Sequence, residues 1–262
     1  MLLRRVTLAA ALVAGVAVAV LILSDRVLPI EVWATPEDEV EPVIELNLQE
    51  GAEEHAVPEL VMEEKGTPTR TAPVVFIDAG HGGNDSGCFV GDVMEKNINL
   101  SIAELVRDEL ETSGYEVVMS RDMDIYVAKE DRVNSANSIN ADVYISIHQN
   151  SSDVKSVSGM EVWYDGTDTR RDSKRLALLV SRQTAQSTGA VEREVRGDAG
   201  FHVTGSTQMP ACLIETGFLS NKEERAKLTS QEYQEKVASG IVQGIESYFD
   251  LGGIIDDQHL QN

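Results

Sequence analysis

Apolar and polar positions fall into blocks along this chain, and the blocks change character twice. Val6 to Leu23 is an apolar run without a charged residue. No period persists between it and Pro73. From Pro73 onward, short continuous apolar runs alternate with stripes at helical spacing. Val74–Ile77 reads as a strand buried on both faces. Ile98, Ile102, Leu105, Val106 and Leu110 share one helical face, and Gly114 is a natural stop. Tyr115–Met119, Val143–Ile147, Met160–Tyr164 and Ala211–Ile214 read as further strands. Val127 to Asn137 reads as a short helix with Val133 and Ala136 inward. Leu176, Leu179, Val180 and Gln183 begin another helical stripe. Tyr233, Val237, Ile241, Ile245 and Tyr248 give a closing helix. Ser220 with Glu223, and Thr229 with Glu232, look like capping boxes. This alternation predicts an α/β fold over residues 73–250: a three-layer sandwich with a largely parallel central sheet flanked by helices. No internal repeat is visible.

The earlier blocks predict attachments to that domain. Arg4 and Arg5 precede the apolar run, whose 18 residues exceed an ordinary signal h-region and approach a membrane span. Val32-Trp33-Ala34 resembles a cleavage site but lies far beyond the run. A transmembrane signal-anchor over residues 1–24 is therefore expected, with secretion as the alternative if the segment is cleaved. The positive-inside rule then places the C-terminal bulk on the cell-wall side of the cell membrane. Residues 25–72 read as an acidic disordered linker: eleven acids and no Lys or Arg stand between Glu37 and Glu64. Residues 251–262 read as a frayed tail.

Charge narrows the partners. Against 22 Lys and Arg stand 44 Asp and Glu, a formal charge of -22. Phosphate backbones would repel such a chain, which excludes nucleic acid as the main partner. Cys88 and Cys212 are too few for a disulfide framework, and neither forms a CxxC pair. Small buried residues are the expected role for both, with one disulfide as the alternative.

Candidate chemistry sits where the strands end. The turn Asp78-Ala79-Gly80-His81-Gly82-Gly83 closes the first strand. His148 closes Ile145-Ser146-Ile147, and Glu215 closes Ala211-Cys212-Leu213-Ile214. Glu95 stands just before the first helix. In α/β sheets functional groups collect at carboxyl ends of strands. Two imidazoles and a carboxylate can hold a zinc ion with one position open to water, and a second carboxylate can move that water's proton. Each residue also has a plainer reading. A strand-end histidine is common, and Glu95 could serve only the helix dipole. Glu215 resists the plain reading, because an unpartnered carboxylate among apolar residues is costly. His202 is a weaker candidate for substrate contact, and His55 and His259 read as solvated.

Residues 74–250 resemble the zinc-dependent catalytic domain of bacterial N-acetylmuramoyl-L-alanine amidases. The stretches that carry the resemblance are Ile77 to Gly83, Glu95-Lys96-Asn97-Ile98-Asn99-Leu100, Ser120-Arg121-Asp122, Ala141-Asp142, Ser146 to Asn150, Met209-Pro210-Ala211, and Glu215 to Asn221. They occur in family order. Departures are Gln149 in place of a small residue, Ser86 in place of a proline, and the segment Val203 to Thr207. The resemblance implies one Zn2+ per chain on His81, Glu95 and His148, with Glu215 as the catalytic carboxylate. It implies peptidoglycan as substrate, cleaved between N-acetylmuramic acid and L-alanine of the stem peptide. Asn150 and Gly83 are expected substrate contacts, and the catalytic domain is expected to act as a monomer. Two rivals are a zinc peptidase on the stem peptide and a non-catalytic wall-binding protein of the same fold.

Overall fold

The computed structural model describes residues 72–197 and 200–250 in full, and the backbone of three strands nearer the N-terminus. Those strands are Leu8–Val13 (β1), Val16–Leu23 (β2) and Arg26–Val32 (β3), paired as an antiparallel sheet. This corrects the expected spanning helix, and it also places a strand inside the expected linker. Among the described residues no helix is long and apolar enough to cross a membrane. The physical reason is composition. A run that is apolar throughout carries no period to separate helix from strand, and Val13, Val16, Val18 and Val20 favour the extended form because branching at Cβ stiffens χ1. The acid-rich stretch from Glu37 to Glu64 and the tail after Asp250 lie outside the described residues.

The second compact unit begins at Lys65. Its elements are Val74–Ala79 (β4), Phe89–Val90 (β5), Val93–Met94 (β6), Glu95–Thr112 (α1), Glu116–Met119 (β7), Lys129–Ser138 (α2), Val143–Asn150 (β8), Met160–Tyr164 (β9), Ser173–Thr188 (α3), Glu192–Gly197 (β10), His202–Gly205 (α4), Ala211–Phe218 (β11), Lys222–Leu228 (α5) and Gln231–Asp250 (α6). The central sheet has six strands in the order β10-β9-β11-β8-β4-β7. Every neighbouring pair is parallel except β11 with β9. The sheet therefore reverses once, and β9 begins at the end where β11 and β8 finish.

The strand runs are apolar throughout because both faces are covered. Val75, Ile77, Val143, Ile145, Cys212 and Ile214 point to one side, into a core shared with α1, α3 and α6. Val74, Phe76, Tyr144, Ala211 and Leu213 point to the other, against Val133 and Ala136 of α2 and Val203 of α4. Period-two alternation thus separates two cores within one strand, as a three-layer sandwich requires. Helices α3 and α6 approach closely because Gly240 and Gly244 carry no side chain there: a Cβ on either would stand 2.5–2.6 Å from Thr184 Cα or Val180 Cα.

Two capping assignments shift by one residue. Asn221, not Ser220, caps α5, its Oδ1 accepting from Glu223 N and Glu224 N. Ser230 Oγ accepts from Tyr233 N at 3.4 Å, whereas Thr229 turns its hydroxyl back to Arg225 O. Cys88 and Cys212 are both free thiols, the latter fully buried.

Candidate metal centre and active site

Local rules place the first group. His81 follows β4 in the left-handed region at φ 61, a conformation a non-glycine residue adopts only when its surroundings hold it. Its Nδ1 lies 2.8 Å from Asp85 Oδ2, which fixes the ring and leaves Nε2 facing Glu95 Oε1 at 3.3 Å. His148, on the last turn of β8 before Asn150, presents Nδ1 to the same Glu95 oxygen at 2.9 Å. The imidazoles meet edge to face, with ring centres 4.9 Å apart. One donor atom from each of His81, Glu95 and His148 fits within a span of 4.8 Å. Two imidazole nitrogens and a carboxylate oxygen this close together fit a divalent metal of the zinc type.

Glu95 is the first residue of α1 and is almost wholly buried. Its carboxylate accepts from Cys88 N at 2.8 Å, Gln149 N at 3.0 Å and Asn99 Nδ2 at 3.3 Å. Burial alone would raise its pKa, but the His148 and His81 imidazoles outweigh burial and hold it well below the usual carboxylate range. For His81, burial pulls the pKa down, and Glu95 and Asp85 overcome it to reach about 9. Gly87 makes room for this arrangement: it sits at φ +62, and a Cβ there would stand 2.4 Å from Glu95 Oε2.

Glu215 differs. Sheet register sets it beside His148 on one side and Glu161 on the other. Ile214 points into the core beneath α3 and α6, so Glu215 faces the opposite side, where α2 and α4 leave a cleft of about 340 Å³. His81, His148, Glu215, Tyr126, Phe201 and His202 share its lining. Glu215 Oε2 is buried without a hydrogen-bond partner in the protein. Burial, reinforced by the charges of Glu95 and Glu161, lifts its pKa to about 7 although the histidines oppose the rise.

The structure thus brings His81, Glu95, His148 and Glu215 together, and adds His202 to the same cleft, its Nδ1 3.2 Å from Ser206 Oγ. The other expected contacts point elsewhere. Asn150 donates from Nδ2 to Glu161 Oε2 at 3.0 Å. Gly83 receives Lys96 Nζ on its carbonyl and donates its N–H to Asp124. His55 and His259 lie outside the described residues. Sequence reasoning missed Asp85 and Gln149 as supports. Gln149 joins Asn99 Oδ1 at 3.2 Å and Thr216 Oγ1 at 2.7 Å. The signal for it was its position next to His148, where a side chain must point away from the cleft.

Known proteins share this arrangement of sequence. A family model described as N-acetylmuramoyl-L-alanine amidase matches residues 75–247. "Uncharacterized protein YqiI" of Bacillus subtilis is 42% identical over 176 residues, covering 67% of this chain and 84% of that protein. N-acetylmuramoyl-L-alanine amidase LytC of the same organism is 39% identical over 175 residues, covering 67% of this chain but only 35% of its own length. The crystal structure of N-acetylmuramoyl-L-alanine amidase from Clostridium difficile 630 superposes with a TM-score of 0.67 at 38% identity, over 70% of this chain and 100% of that one. With that match spanning β4 to α6, the chain belongs to the N-acetylmuramoyl-L-alanine amidase family.

Proposed function

We propose that this chain is a zinc-dependent peptidoglycan amidase that hydrolyses the amide between the lactyl group of N-acetylmuramic acid and L-alanine of the stem peptide. The observation that carries the reading is a His-Glu-His donor set at a cleft and, beside it, Glu215, whose Oε2 is buried without a partner. His81, Glu95 and His148 would hold one zinc ion. When bound, zinc supplies Lewis-acid polarisation of the scissile carbonyl and lowers the pKa of water.

The protein's own groups supply the proton transfers. Glu215 takes the proton from the attacking water as general base. It then delivers that proton to the leaving amine of L-alanine as general acid. In the metal-free chain burial already favours the protonated form of this carboxyl, the form that donates to the amine. Asp85 keeps the His81 ring oriented through Nδ1. The catalytic domain acts as a monomer on the cell-wall side of the membrane. That location is supported by the peptidoglycan substrate, which lies on that side.

Digestion of purified cell wall tests the reading against its rivals. Free stem peptides beginning with L-alanine, together with glycan strands bearing unsubstituted lactyl groups, are the expected products. Cleavage inside the stem peptide would make the chain a peptidase. Wall binding with no released fragment would make it a non-catalytic binding protein.

A further inference from the structure

Two arginines outside the donor set are buried in an unusual way. Arg121 and Arg132 are 3% and 4% exposed. Arg132 has one carboxylate partner, Asp78, whose Oδ1 lies 2.5 Å from Nη1. Arg121 has none among its hydrogen bonds: it donates only to the carbonyls of Ala79, Gly80, Lys96 and Met123. Burial and the neighbouring Arg132 charge both pull its pKa down. A buried cation held only by carbonyls, and next to a second cation, carries a large desolvation penalty. Such a penalty persists only where the structure gains something from it.

The hydrogen bonds identify the gain. Arg121 Nε donates to Ala79 O at 2.9 Å and its Nη2 to Gly80 O at 3.0 Å. Arg132 Nη1 donates to Ala79 O at 2.7 Å and its Nη2 to His81 O at 2.8 Å. Three successive carbonyls on one turn are therefore gripped by two guanidinium forks. The third belongs to His81, the residue held at φ 61. Gly82 closes the fit, since a Cβ there would stand 2.9 Å from Arg121 Nε. Arg121 also reaches Lys96 O at 2.8 Å, the residue after Glu95. One guanidinium thus ties the His81 turn to the start of α1, where the second donor of the set resides.

We infer that Arg121 and Arg132 are positioning residues that hold the His81 turn in its left-handed form and in register with Glu95, so that the metal-binding donors are preorganised before a metal arrives. This inference rests on the metal-site reading given above. Lysine retains the charge but offers no planar fork for two carbonyls at once. Neither arginine would contact the metal, so both act through the backbone.

The test compares Arg121→Lys and Arg132→Lys with wild type. Zn2+ affinity is measured by chelator competition, and amide hydrogen exchange at residues 80–83 is followed in the metal-free proteins. Affinity weaker by roughly tenfold or more, the scale typical of lost support around ligands, is expected, with faster exchange at 80–83 and unchanged exchange in α3 and α6. Folded variants with affinity within twofold of wild type and unchanged exchange at 80–83 would overturn the inference. Should Arg132→Lys fail to fold because Asp78 loses its partner, Arg121→Lys decides alone, since it leaves no carboxylate stranded. If wild type itself takes up no Zn2+, the metal reading fails, and the exchange at 80–83 then decides the positioning role by itself.

Discussion

Strand β11 and the start of α1 each take glutamate oxygens out of water, Glu95 as a buried residue and Glu215 at its Oε2, and they treat the charge in opposite ways. Glu95 is surrounded by donors: two backbone N–H groups, an amide and two imidazoles. Glu215 has an oxygen with no partner at all. The first carboxylate is fixed in its charged form, and the second is lifted to a pKa of about 7. Burial is common to both, so burial does not decide the outcome. What decides is whether the fold supplies donors. A ligand needs a permanent charge, whereas a proton carrier needs one that comes and goes.

Removing a group from the first region should have the largest effect. His81→Ala is expected to abolish zinc retention and activity together, read by elemental analysis beside a wall-digestion assay. A full zinc complement in that variant would remove His81 from the ligand set. Next in size, Glu215→Gln should keep zinc and wall binding while turnover drops by roughly 10²-fold or more, the usual scale of general acid–base help. Near-normal release of stem peptide would take Glu215 out of the chemistry. Loss of zinc in this variant would erase the contrast between the two regions.

A third measurement sharpens the contrast through pH. The Glu215 carboxyl has a pKa of 4.5 ordinarily and about 7 in the folded chain. The folded state therefore binds the proton more tightly. The stability this contributes is full below pH 4.5 and is lost as pH rises through about 7. The metal-free protein should lose roughly 3 kcal/mol across that window from this group, at about 1.4 kcal/mol per tenfold difference in proton affinity. Glu215→Gln should flatten that part of the curve in denaturant titrations. An unchanged slope would mean that Glu215 is solvated in solution. The smallest effect is expected from Gly87→Ala, where a methyl group would enter the space of Glu95 at φ +62. A loss of about 1–3 kcal/mol in thermal unfolding is expected.

Much of this was legible in the sequence, and for definite reasons. Strands buried on both faces leave continuous apolar runs, so β4, β8, β9 and β11 could be placed along with their chemical end residues. Strand β10 was missed because its residues, Glu192-Arg193-Glu194-Val195-Arg196-Gly197, are those of a charged sheet edge. Its support comes from a distant partner, Arg193 Nε donating to Glu161 Oε1 at 2.7 Å. The four-residue α4 and the two-residue strands of the β5–β6 hairpin are too short to show a period. The Val6–Leu23 run misled in the other direction, since an unbroken apolar stretch looks alike in either form. In the site, residue types announced the donors but not the residues that orient them, because Asp85, Gln149, Arg121 and Arg132 act through contacts that topology alone creates.

The single reversal in the sheet also sorts two loops by which end of the strands they occupy. Because β9 runs against β11, the connection 151–159 begins and ends at the same edge as His148 and Glu215. The connection 165–172 lies at the other edge. A fused reporter or an affinity tag in the first loop would stand at the strand ends that carry His148 and Glu215, whereas one in the second would loosen α4, because Arg171 donates from Nη1 to Thr204 O and Thr207 O.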